Sequence, residues 1–270
     1  METFHWKTDR PLVMGILNVT PDSFSDGGQH FDLASAVARA RQMASEGADI
    51  IDIGGESTRP GAPGVSADEE TRRVVPVIEQ ISDLPVSVDT TKAIVAERAL
   101  AAGARIVNDI SALQSDAGML PVVRNSGAGV VLMHRQGTPV TMQNNPRYAD
   151  VVQEVCKFLA ERMEFAVTGG VKKTQITVDP GIGFGKTVEH NRQLLAGLEQ
   201  FSVLGCPILV GASRKSFIGQ LLNRPAHDRL PGSLAVAAWA VLHGAKILRV
   251  HDVVETVDVV RMLAALQKVD

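Results

Sequence analysis

Asp89, Asn108 and Asp179 lie far apart along the chain, yet each sits in or just after a short apolar run. Two carboxylates and an amide placed in this way suit a flat, nitrogen-rich heterocycle with several N–H donors on its edge. A second set, Asn18, Thr58, Arg59, Arg249 and His251, offers donors suited to an anion with many oxygens. Arg249 and His251 occupy alternate positions of one run, so their side chains point the same way. Lys215 and Ser216 follow another run and can serve either ligand or a second one. One pocket holding a donor-rich ring and a phosphate tail is the chemistry these residues suggest, with the acids at one end and the cations at the other. Asp52 and Asp109 are expected only to cap turns or brace a loop, and His134 to be a satisfied barrel histidine. There is no HExxH, no paired CxxC and no Ser-His-Asp spacing, so zinc hydrolysis and serine nucleophilic catalysis lack support.

Three loop segments invite other readings, and two of them fail. Pro180-Gly181-Ile182-Gly183-Phe184-Gly185-Lys186-Thr187 ends like a phosphate-cradling loop, but Pro180 stands where its first glycine belongs. Its glycines also miss the dinucleotide spacing. What remains is a flexible strand-to-helix loop carrying an exposed Phe184. Asp22-Ser23-Phe24-Ser25-Asp26-Gly27 starts like a calcium loop, yet Phe24 takes a ligand position and no Glu closes it. Gly54-Gly55-Glu56-Ser57-Thr58-Arg59-Pro60-Gly61 is long, polar and hinge-rich, and at a strand end it becomes a candidate lid with Arg59 aimed inward.

Eight apolar runs must position these groups: 13–19, 50–53, 86–88, 106–110, 130–133, 176–178, 208–210 and 247–250. Between them lie stretches of helical period. Asp32 precedes the first, from Leu33 to a stop at Gly47. Ser66 with Glu69 resembles a capping box for Ala67 to Ile81, and Thr90 can cap Thr91 to Ala102 ahead of Gly103. Further helices are expected over Ala149 to Thr168, Val188 to Phe201, Ser233 to His243 and Glu255 to Gln267, with Asp116 to Asn125 the weakest. Eight strand-helix units in 270 residues predict a single-domain eightfold (β/α) barrel, with the strand ends converging on one face. The rival, a doubly wound open sheet, needs a reversal of strand order that the sequence does not signal.

A net charge of −3 and a pI near 6.2 give no reason to expect a nucleic-acid partner. Cys156 and Cys206 read as buried thiols in a reducing compartment. The polar opening Met1 to Arg10 is no signal peptide, and no segment is long enough to span a bilayer, so a cytoplasmic protein is expected.

The motifs taken together resemble the dihydropteroate synthase family. They are Met14-Gly15-Ile16-Leu17-Asn18-Val19-Thr20-Pro21-Asp22-Ser23-Phe24-Ser25-Asp26-Gly27-Gly28, Gly55-Glu56-Ser57-Thr58-Arg59-Pro60-Gly61, Ser87-Val88-Asp89-Thr90, Asn108-Asp109-Ile110, Asp179 to Lys186, Ser213-Arg214-Lys215-Ser216 and Arg249-Val250-His251-Asp252. They run in family order from about Pro11 to past Asp252. The resemblance implies joining of 4-aminobenzoate to (7,8-dihydropterin-6-yl)methyl diphosphate, giving 7,8-dihydropteroate and diphosphate for folate synthesis. It also implies that Asp89, Asn108, Asp179 and Lys215 hold the pterin, with Ile110 and Met133 packed on the ring. Asn18 acting through Mg²⁺, with Thr58, Arg59, Arg249 and His251, would hold the diphosphate. The 4-aminobenzoate, which sulfonamides mimic, would sit against Phe24, Pro60, Phe184 and Ser216. Arg135 departs from the family, in which methionine is common at that position. A corrinoid-type methyltransferase on the same barrel is disfavoured by the loops carrying Phe24 and Arg59, and a non-catalytic homologue by the intact Asn18, Arg59, Lys215 and His251. Ser233 to Leu242 is apolar on nearly all sides, which predicts a homodimer packed there.

Overall fold

The computed structural model describes residues 3–6, 8–20, 32–57, 64–138 and 140–267. Among them, β1 (Leu12–Asn18), β2 (Ile50–Gly54), β3 (Val86–Asp89), β4 (Ile106–Asp109), β5 (Gly129–Met133), β6 (Ile176–Asp179), β7 (Leu209–Val210) and β8 (Ile247–Val250) form one parallel sheet. Its order, β6-β5-β4-β3-β2-β1-β8-β7, follows the chain and never reverses, which removes the doubly wound alternative. A bridge between Val178 and Ile208, with Val178 N donating to Pro207 O at 3.0 Å, joins β6 to β7 and rolls the sheet into a barrel.

The two faces of each strand divide the core. Val13, Leu17, Ile51, Ile53, Val86, Val88, Val107 and Leu132 face outward into the large core under the helices. Met14, Ile50, Ile106, Val131, Leu209 and Ile247 form a separate apolar cluster inside the barrel. Side chains repeat every second residue in a strand, so the next inward positions are Asp52, Asn108, Met133, Gly211 and Arg249. A greasy floor and a polar mouth therefore follow from one periodicity.

The helices are α1 (Leu33–Ser45), α2 (Ala67–Gln80), α3 (Ala93–Ala101), α4 (Met119–Ser126), α5 (Val151–Thr168), α6 (Val188–Ala196), α7 (Ser216–Leu222), α8 (Leu230–Leu242) and α9 (Val253–Leu266). Asp32 caps α1 by accepting from Ala34 and Ser35 N–H, and Ser66 caps α2 by accepting from Glu69 N–H. Thr90 does not cap α3 directly. It accepts from Lys92 N–H, while Ala93 N–H is taken by Asp116, which delays the helix start. The helix expected from Val188 to Phe201 breaks at Gly197 into a 3₁₀ segment. Helix α7 was not signalled, because seven residues are too few for a helical period to register. No helix among the described residues is long and apolar enough to cross a membrane.

The opening residues close the floor. Phe4 N–H donates to Gly127 O at 2.8 Å, the Trp6 indole donates to Gln175 O at 2.8 Å, and the two rings meet edge to face at 5.0 Å. Phe4 lies so close to β5 that a Cβ on Gly129 would stand 2.7 Å from its ring. Trp6→Ala should lower the unfolding free energy by about 2 kcal/mol, since a half-buried indole and its hydrogen bond are lost. Turnover should stay unchanged, because the floor is remote from the mouth; thermal denaturation and an activity assay check both halves.

Candidate active site

Arg249, inward on β8, is the hub of the mouth. Its Nε donates to Asp52 Oδ2 at 2.6 Å and its Nη2 to Asp89 Oδ2 at 2.7 Å. Asn108 Nδ2 donates to the same Asp52 oxygen at 3.0 Å, so one carboxylate on β2 ties β8 to β4. Asp52 is fully buried, and its other oxygen has no partner among the described residues. Two sequence expectations are corrected here. Asp52 is no turn brace; it stands two residues beyond the inward Ile50, a period-2 signal that would have placed it in the cavity. Acids and cations are not at opposite ends either, because Arg249 is gripped between two carboxylates. Burial acts to lower the Arg249 pKa, but Asp52 and Asp89 hold it above its ordinary value. Burial pushes the Asp89 carboxyl above the usual carboxylate range, against the pull of Arg249 and with the help of Asp52.

Asp179, at the end of β6, faces this group across β7. A Cβ on Gly211 would lie 3.6 Å from Arg249 Cβ and 4.0 Å from Asp179 Oδ2, so the glycine keeps open the space between them. Burial raises the Asp179 pKa, opposed by Lys215, and pushes the Lys215 ammonium down to about 7, opposed by Asp179. Asp179 Oδ1 accepts from Gly181 N–H at 2.7 Å, which begins a tightly bound loop. Gly181, Gly183 and Gly185 all have positive φ. A Cβ on Gly181 would fall 1.8 Å from His134 O, and one on Gly183 2.7 Å from Lys215 Cδ. Lys215 donates to Ile182 O and stands 4.2 Å over the Phe184 ring. Phe184 is thus half-buried and held, which corrects the expectation of a flexible loop with an exposed ring.

His134 is the barrel histidine that was expected. Its Nδ1 takes a hydrogen bond from the buried Lys186 ammonium at 3.0 Å, and its ring meets Phe158 edge-on at 4.8 Å. Burial first and Lys186 second push its pKa down to about 2, so it is neutral. Asp109 braces the turn after β4, accepting from Ser111 N–H, Ser111 O–H and Leu113 N–H. Arg135 turns to Ser115 Oγ at 2.9 Å.

Asn18 ends β1, and its Oδ1, like Asp89 Oδ2, lies 3.8 Å from where a Gly54 Cβ would be. His251 Nδ1 is 3.1 Å from Ser213 Oγ on the neighbouring strand end. Ile110 and Met133 are buried beside Asn108 and Asp179, and Met133 pairs in register with Asp179. Ser216 is exposed at the start of α7, directly after Lys215. Phe24, Thr58, Arg59 and Pro60 lie outside the described residues. The sequence also gave no sign of the cluster at the base of the second loop, where Lys92 joins Glu56 to the buried Glu70 and Arg73 donates to Gly55 O at 2.8 Å. Among the described residues no three His, Cys, Asp or Glu gather as a metal cage.

Buried acids, an amide and two cations around one barrel mouth define the class, a (β/α) barrel with a charged cavity at its strand ends. The model of the pterin binding enzymes matches residues 14–251. The dihydropteroate synthase of Escherichia coli K12 is 51% identical over 258 residues, covering 94% of this chain and 91% of that one. A Xanthomonas albilineans dihydropteroate synthase solved with 4-aminobenzoic acid superposes with a TM-score of 0.92 at 49% identity, over 97% of this chain and 95% of that one. The same enzyme solved with 7,8-dihydropteroate gives 0.89 at 46%, over 98% and 97%. The chain belongs to the dihydropteroate synthases, transferases of folate biosynthesis within the pterin binding enzyme family.

Asp52→Ala should cost about 3 kcal/mol of stability, because it leaves Arg249 and Asn108 short of a buried acceptor. Asp52→Asn, which keeps an oxygen there, should cost less than half as much. Urea unfolding with an unchanged m-value checks the difference.

Proposed function

We propose that this cavity makes 7,8-dihydropteroate by a loose, cation-like displacement at the pterin methylene. The observation that carries the reading is the enclosed set Asp52, Asp89, Asn108, Asp179, Lys215 and Arg249, in which carboxylates and cations face a single space. Asp89, Asn108, Asp179 and Lys215 bind the pterin edge, with Ile110 and Met133 against its faces. Thr58, Arg59, Arg249 and His251 bind the diphosphate. Arg249 acts there through Nη1, since Nε and Nη2 are committed to Asp52 and Asp89. Phe24, Pro60, Phe184 and Ser216 seat the 4-aminobenzoate.

Breaking the methylene C–O bond sends its electron pair to diphosphate and leaves positive charge on the methylene, spread into the reduced ring. Asp89 and Asp179 oppose that positive charge, and Arg249 and Arg59 oppose the negative charge on the leaving group. The 4-aminobenzoate nitrogen then forms the C–N bond as a neutral amine and loses a proton to solvent afterwards, so no general base is required. Charge-assisted hydrogen bonds are worth roughly 1.5 to 3 kcal/mol each, so three or four account for several orders of magnitude in rate.

Mg²⁺ is the cofactor of this proposal. Asn18 Oδ1 would hold it, a single neutral oxygen that suits an ion which keeps waters and binds substrate phosphates rather than an acidic cage. Bound there, it adds positive charge beside the leaving diphosphate. The reading extends to a homodimer in the cytoplasm, the pairing supported by the exposed Leu221, Leu222, Trp239, Leu242, Met262 and Leu266 on α7, α8 and α9.

Diphosphate release should require the pterin diphosphate, 4-aminobenzoate and Mg²⁺ together. Arg249→Ala should slow the single turnover by at least about 100-fold, as expected when a buried charged donor to the reacting group is lost. An unchanged single-turnover rate removes diphosphate stabilisation by this residue. Sedimentation at micromolar concentration should give a dimer, and a monomer contradicts the assembly.

A further inference from the structure

The Phe184 loop has its backbone carbonyls occupied in sequence. Gly181 O accepts from Phe184 N–H, Ile182 O from Lys215, Gly183 O from Gln143 Nε2 at 2.8 Å, Phe184 O from Lys186 at 3.0 Å and Gly185 O from the Tyr148 hydroxyl at 2.9 Å. Lys215 and Lys186 belong to groups already described. Gln143 and Tyr148 come from elsewhere, the segment between β5 and α5, and nothing in the proposed chemistry uses them.

That segment is itself closed at its base. Gln136 donates through Nε2 to Arg147 O at 3.2 Å and accepts through Oε1 from Arg147 N–H at 3.3 Å. It also packs under the glycine loop, since a Cβ on Gly185 would lie 2.6 Å from Gln136 O. The Tyr148 ring is wedged edge-on against His190 at 4.9 Å, which fixes where its hydroxyl can reach. A loop with three left-handed glycines has little stiffness of its own. Its shape is imposed by these outside donors.

We propose that residues 140–148 brace the arylamine platform, with Gln143 and Tyr148 as positioning residues that set the height and tilt of the Phe184 ring and so the fit of a planar primary arylamine. The inference rests on Phe184 seating 4-aminobenzoate. Of the pterin contacts, Asp89 and Asn108 lie on other strands, while Asp179 and Lys215 meet the loop at Gly181 and Ile182, ahead of the Gly183 and Gly185 carbonyls that Gln143 and Tyr148 hold, so loss of the brace acts mainly on 4-aminobenzoate.

The test compares Tyr148→Phe, Gln143→Ala and Phe184→Ala with the unmodified enzyme, measuring kcat, KM for each substrate and the unfolding midpoint. Tyr148→Phe removes one oxygen and should raise KM for 4-aminobenzoate about fivefold, the loss of one ordinary hydrogen bond. KM for the pterin diphosphate should stay within about twofold by the same measure, and the midpoint should hold. Gln143→Ala, on the solvent side, should move the same constant in the same direction. Equal changes in both KM values, or no change in either, overturn the brace. If Phe184→Ala leaves KM for 4-aminobenzoate unaltered while turnover proceeds, the placement of the arylamine fails instead, and the brace falls with it.

Discussion

Arg249 held between Asp52 and Asp89 is the constraint around which the mouth is built. Taking such charges out of water costs several kcal/mol per ion, and their mutual attraction seldom returns a surplus. A sequence selected for stability alone would fill these positions with well-packed apolar residues, as it does one layer lower with Met14, Ile50 and Ile247. The change from grease to polar groups within two residues on β2, β4 and β8 therefore marks where the barrel gives up stability for chemistry. It also explains why the acids and cations are interleaved. Each buried carboxylate needs a donor close by before any ligand arrives, and Arg249 serves two of them.

Asp52 shows how such a network is organised. A single oxygen receives both Arg249 and Asn108, so residues drawn from β8 and β4 take their aim from β2. The Asp179 and Lys215 side is built differently. There backbone amides and carbonyls of a glycine loop do the holding, and the lysine stands over an aromatic face. One half of the mouth is rigid because strands are rigid, and the other because a soft loop is tied at every carbonyl.

Much of this was legible in the sequence. The eight apolar runs gave the barrel, since buried parallel strands are short and almost wholly hydrophobic. The polar residues in or shortly after those runs gave Asp89, Asn108, Asp179, Lys215 and Arg249, all of which share the cavity. Asp52 was set aside as a turn or loop brace, although it lies inside its run, before Ile53 and Gly54, just as Asn108 and Arg249 lie inside theirs. Period 2 from Ile50 would have recovered it. The state of the Phe184 loop could not be read, because three glycines suggest freedom and the donors that remove it sit 37 and 40 residues away in sequence. Helix ends drifted for a similar reason: Asp116, 23 residues from Ala93, competes for the amide that Thr90 was expected to satisfy.

The floor carries a consequence for how the chain folds. Trp6 and its acceptor Gln175 are 169 residues apart, and Phe4 seats against Gly127 and Gly129. During synthesis Phe4 and Trp6 must wait until Gln175 has left the ribosome before they find their berth. Closure of the base is therefore a long-range contact with a high loop-closure cost, one that local strand-helix pairing does not have to bear.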